Sequence, residues 1–415
     1  MGGNATTGAV AAAAARIVGR IGRAEDALSR AFSSKMSVAE CVNEGNALAR
    51  SLHLSPYATG VYDLPPLFLL AREYWWQSGL ANAIAAVLVY RLVGARASSR
   101  GVGRTLRIAA SAFALLVGHR LGLGEASVLL ALLGASTGNG GLTEAGIALA
   151  LYASPSDAFL LVHPLRAILL SRSEGGRSPI SYRRFLAKIG LAWFALIVAS
   201  ALFMKWLLPV PAFREMNLMQ VTHHWMERAY VPPMAANGGA DAFAPSASLA
   251  WYFNVQMFPE MQRMFGLLGQ AQPALLALPM ALTLGAAGSE LHYLLAQVVI
   301  CNHFRRHYEL GTFLVEAVLF VLLQVQGAPR GGGGRASAGF FAIGASGLIC
   351  VSLLLAVRAL WIDYGVANSN YYWAVALCFN LSRLALAQAA MSAAMVKPGP
   401  SKGDQDTTTT KKKKV

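Results

Sequence analysis

Residues 185–208 read FLAKIGLAWFALIVASALFMKWLL, a stretch in which two lysines interrupt an almost wholly apolar run. An α-helix of this length, at about 1.5 Å per residue, crosses the roughly 30 Å hydrocarbon core of a bilayer. The stretch therefore predicts a membrane-spanning helix. Blocks of comparable composition, each long enough or nearly so to do the same, follow at 264–288, 310–326, 338–361 and 371–395.

The whole chain shares this apolar character, since 55% of its 415 residues are apolar and only 13% are charged. A soluble domain carries about a quarter charged residues, so this chain lacks the polar surface to face water on all sides. No segment shows the alternation of a membrane barrel strand. The sequence predicts an all-α, polytopic membrane helix bundle with about 10–12 transmembrane helices, counting shorter blocks that neighbouring helices can shield. Those shorter blocks lie at 80–93, 108–135, 145–170, 244–258 and 290–301.

The net charge of +15, from 35 basic and 20 acidic residues, is concentrated in loops between the apolar blocks and in the tail. Short basic loops stay on the cytoplasmic side of a membrane, so the near-neutral segments 44–77, 210–245 and 362–371 should face the other compartment. We expect no nucleic-acid partner, because the basic residues do not form one contiguous face. The basic clusters are Arg91, Arg96, Arg100, Arg104 and Arg107; Arg166, Arg172, Arg177, Arg183, Arg184 and Lys188; Arg330 and Arg335; and Lys411 to Lys414.

One pair of basic residues, Arg305 and Arg306, conflicts with this orientation. Both should lie on the non-cytoplasmic side if 310–326 is a full crossing that ends at the basic loop near Arg330. Either their loop breaks the charge rule, or residues 290–326 form a re-entrant hairpin. The sequence leaves both alternatives open.

The chain divides into an N-terminal segment and loop at 1–78, a multi-pass bundle at 79–395, and a basic tail at 396–415. The tail is poor in apolar residues, and we expect it to be disordered. Lys412 and Lys413 stand fourth and third from the C-terminus. This spacing resembles the dilysine signal that retrieves membrane proteins to the endoplasmic reticulum and is read in the cytosol. The alternative is a solvated basic tail near anionic lipid.

A proline- and tyrosine-rich segment, HLSPYATGVYDLPP at residues 53–66, precedes the first strong apolar block. Its prolines and glycine exclude one continuous helix, so it predicts a folded loop that enters the membrane. Tyr57, Tyr62 and the pair Pro65-Pro66 give this loop a rigid, ring-rich surface. The alternative is a plain connecting loop.

A second segment, AWYFNVQMFPEMQRMF at residues 250–265, mixes aromatic and polar side chains. Polar groups at membrane depth usually point into a bundle interior or a cavity, so Asn254, Gln256 and Glu260 are candidate ligand contacts beside the aromatic Trp251. Hydrogen bonding between helices explains the same polar residues equally well.

A third segment, LWIDYGVANSNYYW at residues 360–373, lies between the last two full spans and sets Asn368, Ser369 and Asn370 among five aromatic residues. Side-chain amides can bind a phosphate or a sugar, and rings such as Tyr371 can pack on lipid or glycan. Helix capping by Asn or Ser is the alternative function of this polar group.

These segments carry a family resemblance. SPYATGVYDLPPLF, SLAWYFNVQMFPEMQRMF and LWIDYGVANSNYYWAVALCFN are similar, in order and spacing, to three marker segments of the PIG-U family. That family is the multi-pass subunit of glycosylphosphatidylinositol (GPI) transamidase, and it resembles GPI mannosyltransferases of the C-type glycosyltransferase membrane fold. Weaker similarity extends the resemblance over about residues 25–395.

The resemblance implies a non-catalytic role in the endoplasmic reticulum membrane. The basic loops and tail predict a cytosolic C-terminus, and we expect no cofactor. The complex removes a C-terminal signal peptide and attaches a preassembled GPI lipid, and a caspase-like cysteine protease subunit does this chemistry. This chain would help to recognise the GPI lipid inside the membrane. Asn368 and Asn370 match family positions linked to GPI contact, and Ser55, Tyr57 and Tyr62 match the first lumenal loop. Neighbouring candidates for GPI contact are Ser369, Tyr371, Trp251 and Asn254.

Two other functions make different demands on the sequence. An active C-type mannosyltransferase that uses dolichol-phosphate mannose needs a lumenal acidic motif near its first crossing, where only Glu25 and Asp26 are available. A transporter predicts an inverted repeat or charged residues inside its spans. No internal repeat is visible, and most of the charges in or near spans lie close enough to an end to snorkel. Those charges are Lys188, Lys205, Glu316, Arg358 and Arg383.

Catalytic and metal-binding patterns are weak. Thiol catalysis needs a cysteine and a histidine within reach, yet Cys301 and His303 should lie on different faces of a helix. His223 and Glu227 stand one helical turn apart, a spacing that can hold a metal, but further ligands are missing. A polar helix in a loop explains them better. We therefore predict no catalytic residue and no metal site in this chain.

Overall fold

The computed structural model describes residues 44–57, 65–70, 80–96, 108, 110–111, 123–172, 181–230, 245–256, 259–284, 290–305, 308–327 and 334–395. This part of the chain forms thirteen α-helices and no strand, which confirms the predicted all-α membrane bundle. The helices are α1 Leu80–Arg96, α2 Leu123–Thr137, α3 Gly140–Ala153, α4 Pro155–Arg172, α5 Tyr182–Leu202, α6 Pro211–Glu215, α7 Leu218–Tyr230, α8 Leu249–Gln256, α9 Pro259–Leu284, α10 Glu290–His303, α11 Leu310–Gly327, α12 Gly334–Arg358 and α13 Ser369–Met395.

Local chemistry divides the apolar region near residue 150 into shorter helices than its composition suggests. The predicted block at 145–170 is interrupted at Ser154, where α3 ends and Pro155 begins α4. Proline fits the first position of a helix but cannot continue one, because it lacks the backbone N–H group. The Ser154 hydroxyl then donates to Oδ2 of Asp157 in the first turn of α4, at 3.2 Å.

Helices α2 and α3 form an antiparallel hairpin with close backbone contact. The turn uses Gly138 at φ +73°, a conformation that side chains disfavour, and Asn139 then caps α3 by accepting from the Leu142 N–H at 3.1 Å. Gly134 faces Thr143 across the hairpin, and Gly146 faces Ala131. The absence of side chains on these two glycines lets the helices approach until backbone meets backbone.

Helix α10 is the centre of the bundle. Every residue from 293 to 302 is buried, and α10 packs against α4, α9, α11 and α13. Its length falls short of a full crossing, but shielding by protein on all sides permits a short apolar helix at membrane depth. The large apolar core therefore forms around α10.

A second apolar core lies around α7. The chain before α1 contributes Tyr57 and Leu69, and the end of α5 with its π-helical extension at Phe203–Leu207 contributes Met204. α7 is amphipathic, since Trp225 is fully buried while His223 points outwards with an exposed side chain. This arrangement confirms the polar helix expected around His223 and packs residues 44–57 and 65–70 against the bundle.

Within the described residues, three stretches of helix are long and apolar enough to cross a membrane, Tyr182–Leu207, Ala342–Asp363 and Ser369–Ser392. They confirm the spans predicted at 185–208, 338–361 and 371–395. Their outward side chains remain apolar and exposed, as a lipid-facing surface requires. Shorter apolar helices occur at Ala83–Ala95, Gly124–Thr137, Ala271–Leu284 and Leu310–Gln324. The number of crossings, about ten to twelve, and the division at residues 78 and 396 stay predictions.

Candidate functional site

The second and third marker segments meet in the structure, although more than a hundred residues separate them. α12 ends in a π-helical turn at Ala359–Asp363, Gly365 turns the chain at φ +66°, and α13 starts at Ser369. α8 packs against α13. The surface that results is called the aromatic–asparagine surface below, and it consists of Trp251, Tyr252, Trp361, Asn370, Tyr371, Tyr372 and Trp373.

Ring contacts join the two segments of this surface. Trp251 is only 2% exposed, and its ring centroid lies 5.8 Å from that of Tyr372 and 6.1 Å from that of Trp361. Tyr252 stacks on Trp373 with a centroid distance of 4.6 Å. Aromatic pairs at such distances add specific geometry to the apolar area that they bury. Trp251 therefore anchors α8, while Tyr252 occupies the partly exposed edge.

Asn370 stands at this edge. Its Oδ1 accepts a hydrogen bond of 2.8 Å from the Tyr252 hydroxyl, and its side chain is exposed. Tyr371 beside it is 63% exposed, and Tyr364 in the preceding turn is 74% exposed. The oriented amide of Asn370 and the exposed rings of Tyr371 and Tyr364 therefore face outwards.

Asn368 caps α13. Its Oδ1 accepts from the backbone N–H groups of Asn370 at 3.0 Å and Tyr371 at 3.3 Å. These donors belong to the first helical turn, which would otherwise leave them unpaired. Capping, one of the two functions that the sequence allowed for this segment, is thus confirmed for Asn368. The expected GPI contacts of Asn368, Ser369, Asn370 and Tyr371 stay predictions.

The first marker segment packs elsewhere, in the core around α7. Ser55 Oγ lies 3.2 Å from Nε2 of His224 and accepts from the backbone N–H of Tyr57 at 3.3 Å. The Tyr57 ring is 3% exposed and meets His224 edge-on at 5.9 Å. At the end of α7, burial raises the pKa of Tyr230, whose hydroxyl donates to the carbonyl oxygen of Tyr152 at 2.7 Å. Ser55 and Tyr57 therefore hold α7 in place.

Several predicted residues lie beyond what the structure describes. Tyr62 and the retrieval residues Lys412 and Lys413 are outside the described residues. Asn254 belongs to α8, but the described part of the chain does not include its side chain. Their predicted roles stay predictions.

The sequence does not predict the buried ion pair that joins α11 and α13. Arg383 donates from Nε to Oε2 of Glu316 at 2.9 Å and from Nη2 to Oε1 at 2.5 Å, and both side chains are 5% exposed. The guanidinium carbon also lies 4.0 Å from the ring centroid of Tyr308. Glu316 and Arg383 are enclosed by protein, so neither is among the span charges that snorkel to a helix end.

Arg305 belongs to a second charged group in the bundle. Its Nε donates to Oδ2 of Asp157 at 2.6 Å, and its Nη1 donates to Oε1 of Glu125 at 3.1 Å and to Oγ1 of Thr312 at 3.2 Å. Two carboxylates therefore more than neutralise this arginine. Loop arginines orient a membrane protein as free charges, and Arg305 is not one. Arg306 lies outside the described residues.

The described residues add no further candidate group for metal binding or for thiol catalysis. His223 Nδ1 lies 3.8 Å from Oε2 of Glu227, and both side chains are exposed on α7. Over the described residues, no group of three His, Cys, Asp or Glu side chains is placed to hold a metal ion. In the same part of the chain, Cys301 is a free, buried thiol whose neighbour is the amide of Gln297 at 3.5 Å.

Comparison with known proteins supplies the family. Among curated proteins, no sequence matches this chain. A family model described as GPI transamidase subunit PIG-U matches residues 121–379, a region that runs from α2 into α13 and contains the whole aromatic–asparagine surface. The first marker segment, 53–66, precedes the match. Because the match spans more than half of the chain, the protein belongs to the PIG-U family of GPI transamidase subunits.

Proposed function

We propose that this chain is a non-catalytic subunit of GPI transamidase that helps to recognise the GPI lipid. A caspase-like cysteine protease subunit would carry out the transfer, and this chain would hold the lipid beside it. The hydrogen bond from Tyr252 to Asn370 carries the proposal, because it joins two family segments into one outward-facing surface. Asn370 and Tyr371 are the proposed direct contacts.

The chemistry of Asn370 suits a polar head group. Tyr252 occupies its side-chain oxygen, which leaves the amide nitrogen with two donors towards a phosphate or sugar oxygen. The nitrogen meets no acceptor among the described residues. The exposed ring of Tyr371 supplies an apolar face beside those donors, and tyrosine favours such borders between lipid and water.

The proposed orientation puts this surface on the lumenal side of the endoplasmic reticulum membrane. The basic loops and the tail with Lys412 and Lys413 would lie in the cytosol. Ser55, Tyr57 and Tyr62 would belong to the same lumenal side. Of these, Ser55 and Tyr57 would act by fixing α7, since Tyr57 is buried and Ser55 contacts His224.

Replacing Asn370 with leucine should lower GPI attachment to a reporter protein by about tenfold, because a hydrogen bond to a charged group contributes about 1.5–3 kcal/mol. The measurement uses cells that lack their own copy of the subunit, with recovery of the assembled complex followed in parallel. Val366→Leu is the matched control, because Val366 lies in the turn that precedes α13 and is 73% exposed.

Unchanged attachment with Asn370→Leu would remove this surface from lipid recognition. A purified chain that transfers mannose from dolichol phosphate would overturn the non-catalytic assignment. Copurification with a cysteine protease subunit in mild detergent is the result that we expect instead.

The cap at Asn368 requires a separate test, because its loss could mimic lost lipid binding. Asn368→Ala should destabilise the start of α13 by about 1 kcal/mol. Asn368→Ser keeps a side-chain acceptor and should restore both stability and attachment. If Asn368→Ser instead lowers attachment as much as Asn368→Ala, the Asn368 amide itself contacts the lipid. Thermal stability of the purified chain and reporter attachment, measured together, separate these roles.

A further inference from the structure

The buried ion pair between Glu316 and Arg383 is hydrogen-bonded by several polar neighbours. Asn302 Nδ2 donates to Oε1 of Glu316 at 2.9 Å, and the Tyr308 hydroxyl donates to Oε2 at 3.0 Å. Arg383 Nη1 donates to Oδ1 of Asn380 at 2.9 Å. Both carboxylate oxygens therefore accept two hydrogen bonds each, and the guanidinium is fixed from three nitrogen atoms.

This network continues into the segment that precedes α8. Asn380 Nδ2 donates to the carbonyl oxygen of Ala247 at 2.7 Å, and the Tyr308 N–H donates to Oγ of Ser246 at 3.0 Å. The Ser248 hydroxyl donates to the carbonyl oxygen of Arg305. Ser246, Ala247 and Ser248 are all buried. Ser246 and Ala247 are thus tied to residues of the network, and Ser248 is tied to the backbone at Arg305, immediately before α8 begins.

α8 is short, and its position determines the aromatic–asparagine surface. It begins at Leu249, and Trp251 and Tyr252 follow within its first turn. A displacement of residues 246–248 would therefore move the Tyr252 hydroxyl away from Asn370 and the Tyr252 ring away from Trp373. The buried charges lie beneath the surface without belonging to it.

We infer that Glu316 and Arg383 are positioning residues, which hold α8 so that Tyr252 orients Asn370 for the lipid head group. A buried ion pair stabilises a fold no better than apolar residues of similar volume. Hydrogen bonds, however, require a specific geometry. Those of the ion pair reach Asn380 and Tyr308, which in turn bond the segment before α8. This inference rests on the proposed function of the aromatic–asparagine surface.

The test replaces both charges with apolar residues of similar size, as Glu316→Leu/Arg383→Met. If the pair only stabilises the bundle, this double variant should assemble and attach GPI normally. If it positions α8, the double variant should assemble while GPI attachment falls by about tenfold, since small misplacements are costly at a functional site. Arg383→Lys serves as the conservative comparison, because lysine keeps the charge but cannot bond both Glu316 oxygens and Asn380 in the same planar arrangement.

Geometry is measured independently of activity by cross-linking. The substitutions Tyr252→Cys and Trp373→Cys are made in a chain whose native cysteines are replaced, and the two thiols are joined by a short bifunctional reagent. Efficient cross-linking with the ion pair intact, and several-fold slower cross-linking in the Glu316→Leu/Arg383→Met background, is the expected result. Equal cross-linking rates together with normal attachment would overturn the inference.

A second variant covers the case in which the double variant fails to assemble. Asn380→Leu keeps the side-chain volume and the ion pair but removes the hydrogen bond to Ala247. GPI attachment and the cross-linking rate, measured in this variant, then test the positioning role. Loss of assembly in both variants would assign the network to the whole bundle and would also contradict the inference. The Asn370→Leu result separates the two proposals. If Asn370→Leu lowers attachment and neither network variant does, only the positioning role fails.

Discussion

Arg305→Leu should cause one of the largest losses of folded protein among single substitutions in this chain. The change leaves the carboxylates of Asp157 and Glu125, whose side chains are 22% and 14% exposed, facing each other without a cation. Removing one partner from a fully buried ion pair costs about 3–5 kcal/mol, and this partly buried group should lose about 2–3 kcal/mol, because its carboxylates have lost most of their water and would lose their counter-charge. Recovery of monodisperse protein in mild detergent, with its thermal denaturation midpoint, measures the effect.

The control for this prediction is Arg214→Leu, since Arg214 is exposed on the short helix α6. It should change stability by less than about 0.5 kcal/mol. Adding Asp157→Asn and Glu125→Gln to Arg305→Leu should restore part of the lost stability by removing the repulsion. If Arg305→Leu is as stable as Arg214→Leu, the three-way ion pair is not a structural element of the bundle.

The spans could be predicted from sequence because they depend on composition alone. Residues 185–208, 338–361 and 371–395 are apolar over a length that matches a bilayer, and each forms a helix of the expected extent. The interruption at Pro155 was also accessible, since proline position has a local cause. The position of α10 was harder to predict, because a short apolar helix can lie at the centre of a bundle only if neighbouring helices shield it, and the sequence does not show those neighbours.

The candidate site was predictable only in part. Asparagine and aromatic side chains at 360–373 and 250–265 indicated two surfaces, but nothing in the sequence showed that Tyr252 bonds Asn370, 118 positions away. Asn368 illustrates the opposite limit, since capping is a local function and one of the two alternatives for that segment proves correct. Local geometry can be predicted from a sequence, whereas the meeting of distant segments depends on the packing of the bundle.

The buried ion pairs were missed for the same reason. Arg383 and Glu316 are 67 positions apart, and Arg305 and Asp157 are 148 apart. A lone charge in an apolar block is compatible with snorkelling at a helix end or with a partner on another helix. The distance from the helix end distinguishes snorkelling from a partner on another helix. Glu316 and Arg383 each stand more than one turn from the nearest end of their helices.

Gly146→Ala should destabilise the chain although alanine normally favours helices. A Cβ atom at residue 146 would lie 2.5 Å from the backbone nitrogen of Ala131 and 2.7 Å from its Cα. Backbone atoms cannot rotate aside, so α2 and α3 must separate, and overpacking of this kind costs about 1–3 kcal/mol or more. Gly134→Ala should act alike, because its Cβ would lie 2.5 Å from the backbone nitrogen of Thr143.

The same substitution at Gly190 provides the matched control, because Gly190 is an exposed position inside helix α5 with no atom within 4 Å of an added Cβ. There the ordinary helix propensity should dominate, and Gly190→Ala should stabilise the chain by about 0.5–1 kcal/mol. Glycine-to-alanine substitution should therefore lower stability at Gly146 and raise it at Gly190. The thermal denaturation midpoints of the purified variants measure both effects. Equal shifts at Gly146 and Gly190 would show that the α2–α3 hairpin lacks the close backbone contact on which this part of the fold depends.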